Sequence, residues 1–269
     1  MKYASLLDVI REKNPLIHNI TNYVTVNDCA NAILAIGGSP VMADDINEVE
    51  DIVSLSSALI INIGTLNQRT IDSMIKAGKK ANELKKPVVL DPVGAGASTL
   101  RNNAVKEILS QVKIDVLRGN LSEISFIAGL RASTRGVDSA VEDEKKNPVD
   151  VGKIVAKKYS CIVGITGKED IITDGVNVVK IYNGNKFLSK VTGTGCMASA
   201  LVASFCGVTE DYFLATVVGI ATMGIAGDIA FERAGKVGTG SFHVGIIDAI
   251  SKMDSNVFLE RVKLDEVKY

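Results

Sequence analysis

The chain has no tryptophan and only two histidines, and its four cysteines, Cys29, Cys161, Cys196 and Cys206, form no CxxC pair and no Cys/His cluster. Neither a zinc site nor a dithiol redox centre is suggested, and unpaired, mostly apolar-flanked cysteines fit a reducing, cytoplasmic compartment. Neither charge sign is in excess: the formal net charge is −1, with both signs interspersed. That removes any global electrostatic case for nucleic acid or for an anionic membrane surface. Long apolar runs are missing too. The longest, Phe213–Gly227, holds three glycines in 15 residues and lies between Asp211 and Asp228, which is too short to span a bilayer and suits a buried helix. The N-terminal MKYASLLDVIREKNP has an amphipathic helical pattern without the apolar core of a signal peptide. No GxxxxGK[ST] exists, since Gly164–Lys168 lacks the first glycine and runs into Glu169, so a P-loop is excluded. No repeat, low-complexity tract or long linker interrupts the chain, and residues 1–269 read as a single domain.

What is present centres on Val191–Ala200, VTGTGCMASA. Gly193 and Gly195 bracket Thr194, Cys196 follows, and the next residues are helix formers or apolar packers. The stretch reads as a glycine-rich turn opening a buried helix. Such a turn aims unpaired backbone N–H groups at one spot, and the helix dipole adds partial positive charge there, making an anion site. The same field predicts a Cys196 thiol more acidic than a free one. The competing reading is a tight turn with a small buried cysteine. Gly193–Ala198 also fits the GxGxxA form of a dinucleotide fingerprint, but it follows a hairpin pattern and has no strand-terminal acid about 20 residues on.

Upstream, apolar strand patterns alternate with helical ones. Strands are predicted at Val41–Ala43, Ala58–Ile63, Pro87–Leu90, Val116–Leu117 and Cys161–Ile165, and a hairpin at Ile171–Thr173 and Val176–Tyr182 around Asp174-Gly175. Thr25 with Asp28 fits a capping box for a helix over about 27–35. Residues 131–147 are polar, charged and partly loop. Continuously apolar strands separated by helices predict an α/β fold, a mostly parallel sheet covered by helices on both faces. Ligands bind such sheets beyond the carboxyl ends of the strands. Those ends carry Asp91, then Arg118 with Asn120 and Glu123, then Thr166 with Lys168, and finally the Gly193–Cys196 turn. Asp91 and Glu123 are hard oxygen ligands of the kind Mg²⁺ takes beside phosphates. Arg118 can grip phosphate oxygens through two hydrogen bonds, Thr166 offers a hydroxyl to a nucleotide phosphate, and the turn can hold a phosphoryl group in flight. Taken singly, Asp91 could be a turn initiator, and Arg118 with Glu123 a surface ion pair. His18 and Asn22 could be loop hydrogen-bonders, and Met42 core packing.

The glycine turn followed by a reactive side chain at a helix start resembles the ribokinase-like kinases. That superfamily usually carries Asp where Cys196 stands; GTGC resembles the hydroxyethylthiazole kinase family of thiamine biosynthesis. The likeness covers nearly the whole chain: PLIHNITNYVT at 15–25, GGSPVMAD at 37–44, LDPVGAGAS at 90–98, RGNLSEI at 118–124, GVDS at 136–139, VTGTGCMASA at 191–200 and GTGSFHVGIIDAI at 238–250. The resemblance implies a ribokinase-like fold, ATP with Mg²⁺, and phosphorylation of the hydroxyl of 5-(2-hydroxyethyl)-4-methylthiazole. It implies a homotrimer with active sites between subunits. Arg118 and Thr166 would bind ATP; Met42, in reach from a neighbouring subunit, and Gly193 would contact the thiazole, with Asn22 and Val24 lining the same pocket. Thr194 and Gly195 would complete the anion turn, Asp91 and Glu123 would lie near the metal, and Cys196 beside the substrate hydroxyl. Two alternatives share the scaffold. An ATP-dependent dehydratase of hydrated nicotinamide nucleotides normally keeps Asp at the position of Cys196. A non-catalytic binding relative would not need Asp91, Glu123, Arg118 and the turn together.

Overall fold

The computed structural model describes residues 2–130 and 147–267; the GVDS motif lies outside them. In chain order the elements are α1 (Ser5–Lys13), β1 (Leu16–Ile20), α2 (Val26–Ile36), β2 (Ser39–Val41), α3 (Val49–Leu55), β3 (Ala58–Asn62), α4 (Gln68–Glu83), β4 (Val88–Asp91), α5 (Thr99–Gln111), β5 (Val116–Asn120) and α6 (Leu121–Ala128). After 147 come α7 (Pro148–Tyr159), β6 (Ile162–Thr166), β7 (Asp170–Thr173), β8 (Val178–Ile181), a 3₁₀ turn (Lys186–Lys190), α8 (Thr194–Cys206), α9 (Tyr212–Ala234), α10 (Thr239–Ser251), α11 (Ser255–Arg261) and β9 (Leu264–Val267). The described strands form one sheet in the order β2-β1-β3-β4-β5-β6-β7-β8-β9. Pairings from β2 to β6 are parallel, and those from β6 to β9 antiparallel.

Strand β3 explains the layering. All five of its residues are buried; Ala58 and Ile60 join one apolar cluster, Leu59 and Ile61 the other. Alternate side chains of a strand point to opposite faces, so an unbroken apolar run means cover on both. One face packs under α1, α2 and α8–α11, the other under α3–α7. The predicted hairpin is β7–β8, paired antiparallel. Strand β9 was not predicted: LDEV is short and half charged, and as the edge strand it pairs only with β8.

Helix α9 is longer than its apolar run. At 23 residues it passes a length-and-hydropathy test for a membrane span, yet 83% of the apolar window is buried inside the protein. It is a core helix lying against α8, and Gly219 permits the approach, since a Cβ there would stand 2.7 Å from the Val202 Cα. The predicted capping box at Thr25 does not form. Thr25 is the N-cap of α2, but its side chain makes no cap hydrogen bond. Its backbone N–H donates instead to Asn22 Oδ1, and Asp28 lies 3.0 Å from His243. The loop role of Asn22 is thus real, and His18 is also a hydrogen-bonder: its buried Nε2 donates to the Ala43 carbonyl.

Candidate active site

The parallel order β3-β4-β5-β6 brings four strand ends to one edge. Asn62 is in register with Asp91, and Asn120 with Thr166. The N-terminus of α8 faces this edge. Gly193 is its N-cap, at φ +86°, a conformation open to glycine and strained for other residues. Space excludes a side chain as well: a Cβ on Gly193 would meet Thr25 at 3.0 Å and Asp28 at 3.2 Å, and one on Gly195 would meet Arg118 Nη1 at 2.8 Å. The turn is therefore drawn tight against both α2 and the arginine.

Two cavities open here and share Arg118, Asn120 and Gly195 as their common wall. The first, of about 360 Å³, is lined by Asn22, Val24, Asp91, Glu123, Gly193 and Cys196 among others. The second, of about 650 Å³, carries Thr166, Lys168, Asp170, Asn183 and Thr194. Every candidate site residue except Met42 thus lines one cavity or both. Met42 lines neither; it is half-buried and packs against the core.

Arg118 is buried and joins the two halves. Its Nη2 donates to the Thr166 hydroxyl, Nη1 lies 3.7 Å from Asp91 Oδ2, and its Nε has no protein partner. Asp91 is 1% exposed. Its Oδ2 accepts from Asn62 Nδ2 at 3.0 Å and Ser199 Oγ at 2.8 Å, whereas Oδ1 is buried with no partner. Glu123 completes a capping box with Asn120: Oε2 accepts from the Asn120 N–H and Oε1 from the Gly94 N–H, each at 2.8 Å. Burial raises both carboxyls above their usual range. At Asp91 the arginine opposes the rise; at Glu123 the neighbouring Asp91 adds to it. Two buried carboxylates, one with an unpartnered oxygen, form a site that a cation would relieve. Among the described residues no group of three His, Cys, Asp or Glu could hold a metal alone. The donor set thus fits an ion like Mg²⁺, which completes its shell with waters and substrate phosphates.

Cys196 corrects one expectation. The helix start does not make its thiol more acidic: burial, then the charge of Asp91, push it up from the ordinary value. Hydrogen bonds from Thr25, Asn62 and Asn22 oppose the rise without reversing it. The thiol is neutral at physiological pH. Sequence reasoning also missed three residues. Asn62 and Ser199 both hold Asp91, and Asp170 stands in the second cavity beside Thr166. Asn62 carried a signal, a polar strand end in register with Asp91; Ser199, one turn into a helix of small residues, carried none.

A sequence profile of the hydroxyethylthiazole kinase family matches residues 7–256. The chain is 62% identical over 263 residues to a protein of Ruminiclostridium cellulolyticum named hydroxyethylthiazole kinase, covering 97% of this chain and 96% of that one. The solved structure of a hydroxyethylthiazole kinase protein from Pyrococcus horikoshii OT3 matches with a TM-score of 0.89 at 42% identity, over 100% of both chains. A ribokinase-like superfamily protein from Enterococcus faecalis V583 matches with a TM-score of 0.62 at 10% identity, over 93% of this chain and 95% of that one, a likeness of fold alone.

Proposed function

The chain belongs to the hydroxyethylthiazole kinase family, phosphorylating the hydroxyl of 5-(2-hydroxyethyl)-4-methylthiazole with ATP in thiazole salvage, and we propose that its paired cavities divide this work. The second cavity takes the nucleotide and the first the thiazole alcohol, with the γ-phosphoryl group passing at the shared wall. The observation that carries the reading is this wall, where Arg118 and Gly195 face both cavities and Cys196 lies beside Asp91.

Arg118 and Thr166 hold the phosphates, the arginine by two-pronged hydrogen bonding. The backbone N–H groups of Thr194, Gly195 and Cys196, unpaired at the start of α8, receive the moving phosphoryl group. Asp91 and Glu123 would hold Mg²⁺ together with waters and phosphate oxygens, and the ion would supply positive charge against the phosphates. Asn22, Val24 and Gly193 contact the thiazole, and Met42 reaches it from a neighbouring subunit. Cys196 sits at the substrate hydroxyl. A neutral thiol is a poor base, which suits a loose transition state that needs little proton removal early.

The same reading makes the protein a homotrimer with sites between subunits, acting as one domain in the cytoplasm. Val24, which lines the first cavity, and Tyr23, its neighbour in the chain, support the assembly: they are 56% and 79% exposed, an apolar surface suited to a partner. The test is ADP release with the thiazole alcohol, with hydroxymethylpyrimidine and with hydrated NADH, each with and without Mg²⁺. Magnesium-dependent turnover of the thiazole alcohol alone is expected. Turnover without Mg²⁺, or of the pyrimidine alcohol in its place, overturns the reading.

A further inference from the structure

Asn62 ends β3 with its side chain 1% exposed, and its hydrogen bonds fix the amide in one orientation. Oδ1 accepts from the Gly64 N–H at 2.9 Å and from Asn22 Nδ2 at 2.9 Å. Nδ2 donates to Asp91 Oδ2 at 3.0 Å and to Cys196 Sγ at 3.3 Å. A flipped amide would set its oxygen against the Asp91 carboxylate and its N–H₂ against the Gly64 N–H, breaking both bonds with like-polarity contacts. Asn22 repeats the pattern: its Nδ2 donates to Asn62 Oδ1 and, at 3.4 Å, to Cys196 Sγ. Both N–H₂ groups are fully used, and the sulfur receives one hydrogen from each.

A sulfur with amide hydrogens on both sides cannot direct its own S–H at either amide. Thr25 also donates to the sulfur, so the remaining direction is the first cavity, which Cys196 and Thr25 both line. We propose that Asn62 is a positioning residue for phosphoryl transfer: held by Gly64 and Asp91, it keeps the Cys196 sulfur as a hydrogen-bond acceptor and turns the S–H toward the cavity where the acceptor alcohol binds. The inference rests on the reading that Cys196 stands at the substrate hydroxyl. It adds a coupling between the carboxylate and the thiol, since a single amide nitrogen contacts both.

The test is a double-mutant cycle between Asn62→Ala and Cys196→Ala, with kcat and the KM for ATP measured for all four proteins. Misplacing a reacting group by about 1 Å can cost about 100-fold. Asn62→Ala is therefore expected to lower kcat about 10- to 100-fold while the KM for ATP stays within about twofold. In the Cys196→Ala background the same change is expected to cost less than about threefold, because the group it positions is gone. Equal losses in both backgrounds overturn the proposal and leave Asn62 acting through Asp91 or the fold. A Cys196→Ala protein as active as the parent overturns the underlying reading of Cys196 instead, and is visible from that single variant. If Asn62→Ala melts too low to assay, Asn62→Ser carries the same cycle, and additive losses there overturn the proposal equally.

Discussion

Asp170, at the start of β7, makes a prediction with a definite sign. It is buried at 9% exposure and lines the second cavity. Burial raises its carboxyl from 3.8 to about 6, against the pull of the Gly167 N–H, which donates to Oδ1 at 2.8 Å, and of Arg118. The unfolded chain loses this proton near 3.8, the folded chain near 6. Between those values the unfolded state is the more ionised, so folding loses stability as pH rises through the window. Each pKa unit corresponds to about 1.4 kcal/mol, which makes the full loss about 3 kcal/mol above the folded value. Asp170→Asn keeps an oxygen for the Gly167 N–H and removes the titration. At about pH 7.5 the variant is expected to be more stable than the parent by up to about 3 kcal/mol, and the two should converge toward about pH 4. Urea unfolding of the ligand-free proteins at several pH values measures this. A gap that does not change with pH, or a variant less stable at neutral pH, refutes the reasoning.

Three further outcomes follow from the same geometry. Cys196→Ala should lower kcat by about 100-fold or more with the KM for ATP within about twofold, while Cys196→Asp, whose carboxylate would meet the amide donors of Asn22 and Asn62, should be at least as active as the parent but melt lower; an alanine variant within about twofold of the parent removes the proton-handling role. Arg118→Lys should raise the KM for ATP at least about tenfold, because an ammonium cannot face Thr166 and Asp91 at once as the planar guanidinium does; steady-state kinetics with varied ATP decide it. Sedimentation equilibrium should give three times the 28.5 kDa chain mass, and a monomer at assay concentration refutes the shared-site assembly.

The sequence made the sheet readable because β3, β4 and β6 are apolar on both faces, a pattern few other structures tolerate. The strand-end rule then collected Asp91, Arg118, Glu123 and Thr166, which the register of β4, β5 and β6 brings to one edge. Local rules failed where the surroundings supplied other partners. Thr25 and Asp28 have capping-box spacing, but the Thr25 N–H donates to Asn22 Oδ1 and the Asp28 carboxylate stands against His243 at 3.0 Å. The thiol expectation failed for the same reason. A helix start is visible in GTGCMASA, whereas the depth of Cys196 and its nearness to Asp91 depend on β3 and β4. Met42 marks the other boundary: it lines neither cavity of its own chain, and its proposed contact with the thiazole depends on an assembly that one chain does not display.

The choice of cysteine at position 196 has a physical rationale in its neighbours. Asp91 and Glu123 already face the first cavity, and burial works against the ionised form of each. Arg118 is the single buried cation beside Asp91 among the described residues, at 3.7 Å. A carboxylate at 196 would place a third negative charge on this arginine's side of the cavity, where like charges in a low dielectric repel strongly. A thiol raised by the same surroundings stays neutral. It leaves the positive field of the α8 N-terminus unneutralised and open to an anion. The amides of Asn22 and Asn62 give the sulfur two N–H contacts, which hold it in place while it carries no charge. A loose phosphoryl transfer leaves the alcohol's proton in place until late, so a neutral residue at this position is compatible with the chemistry.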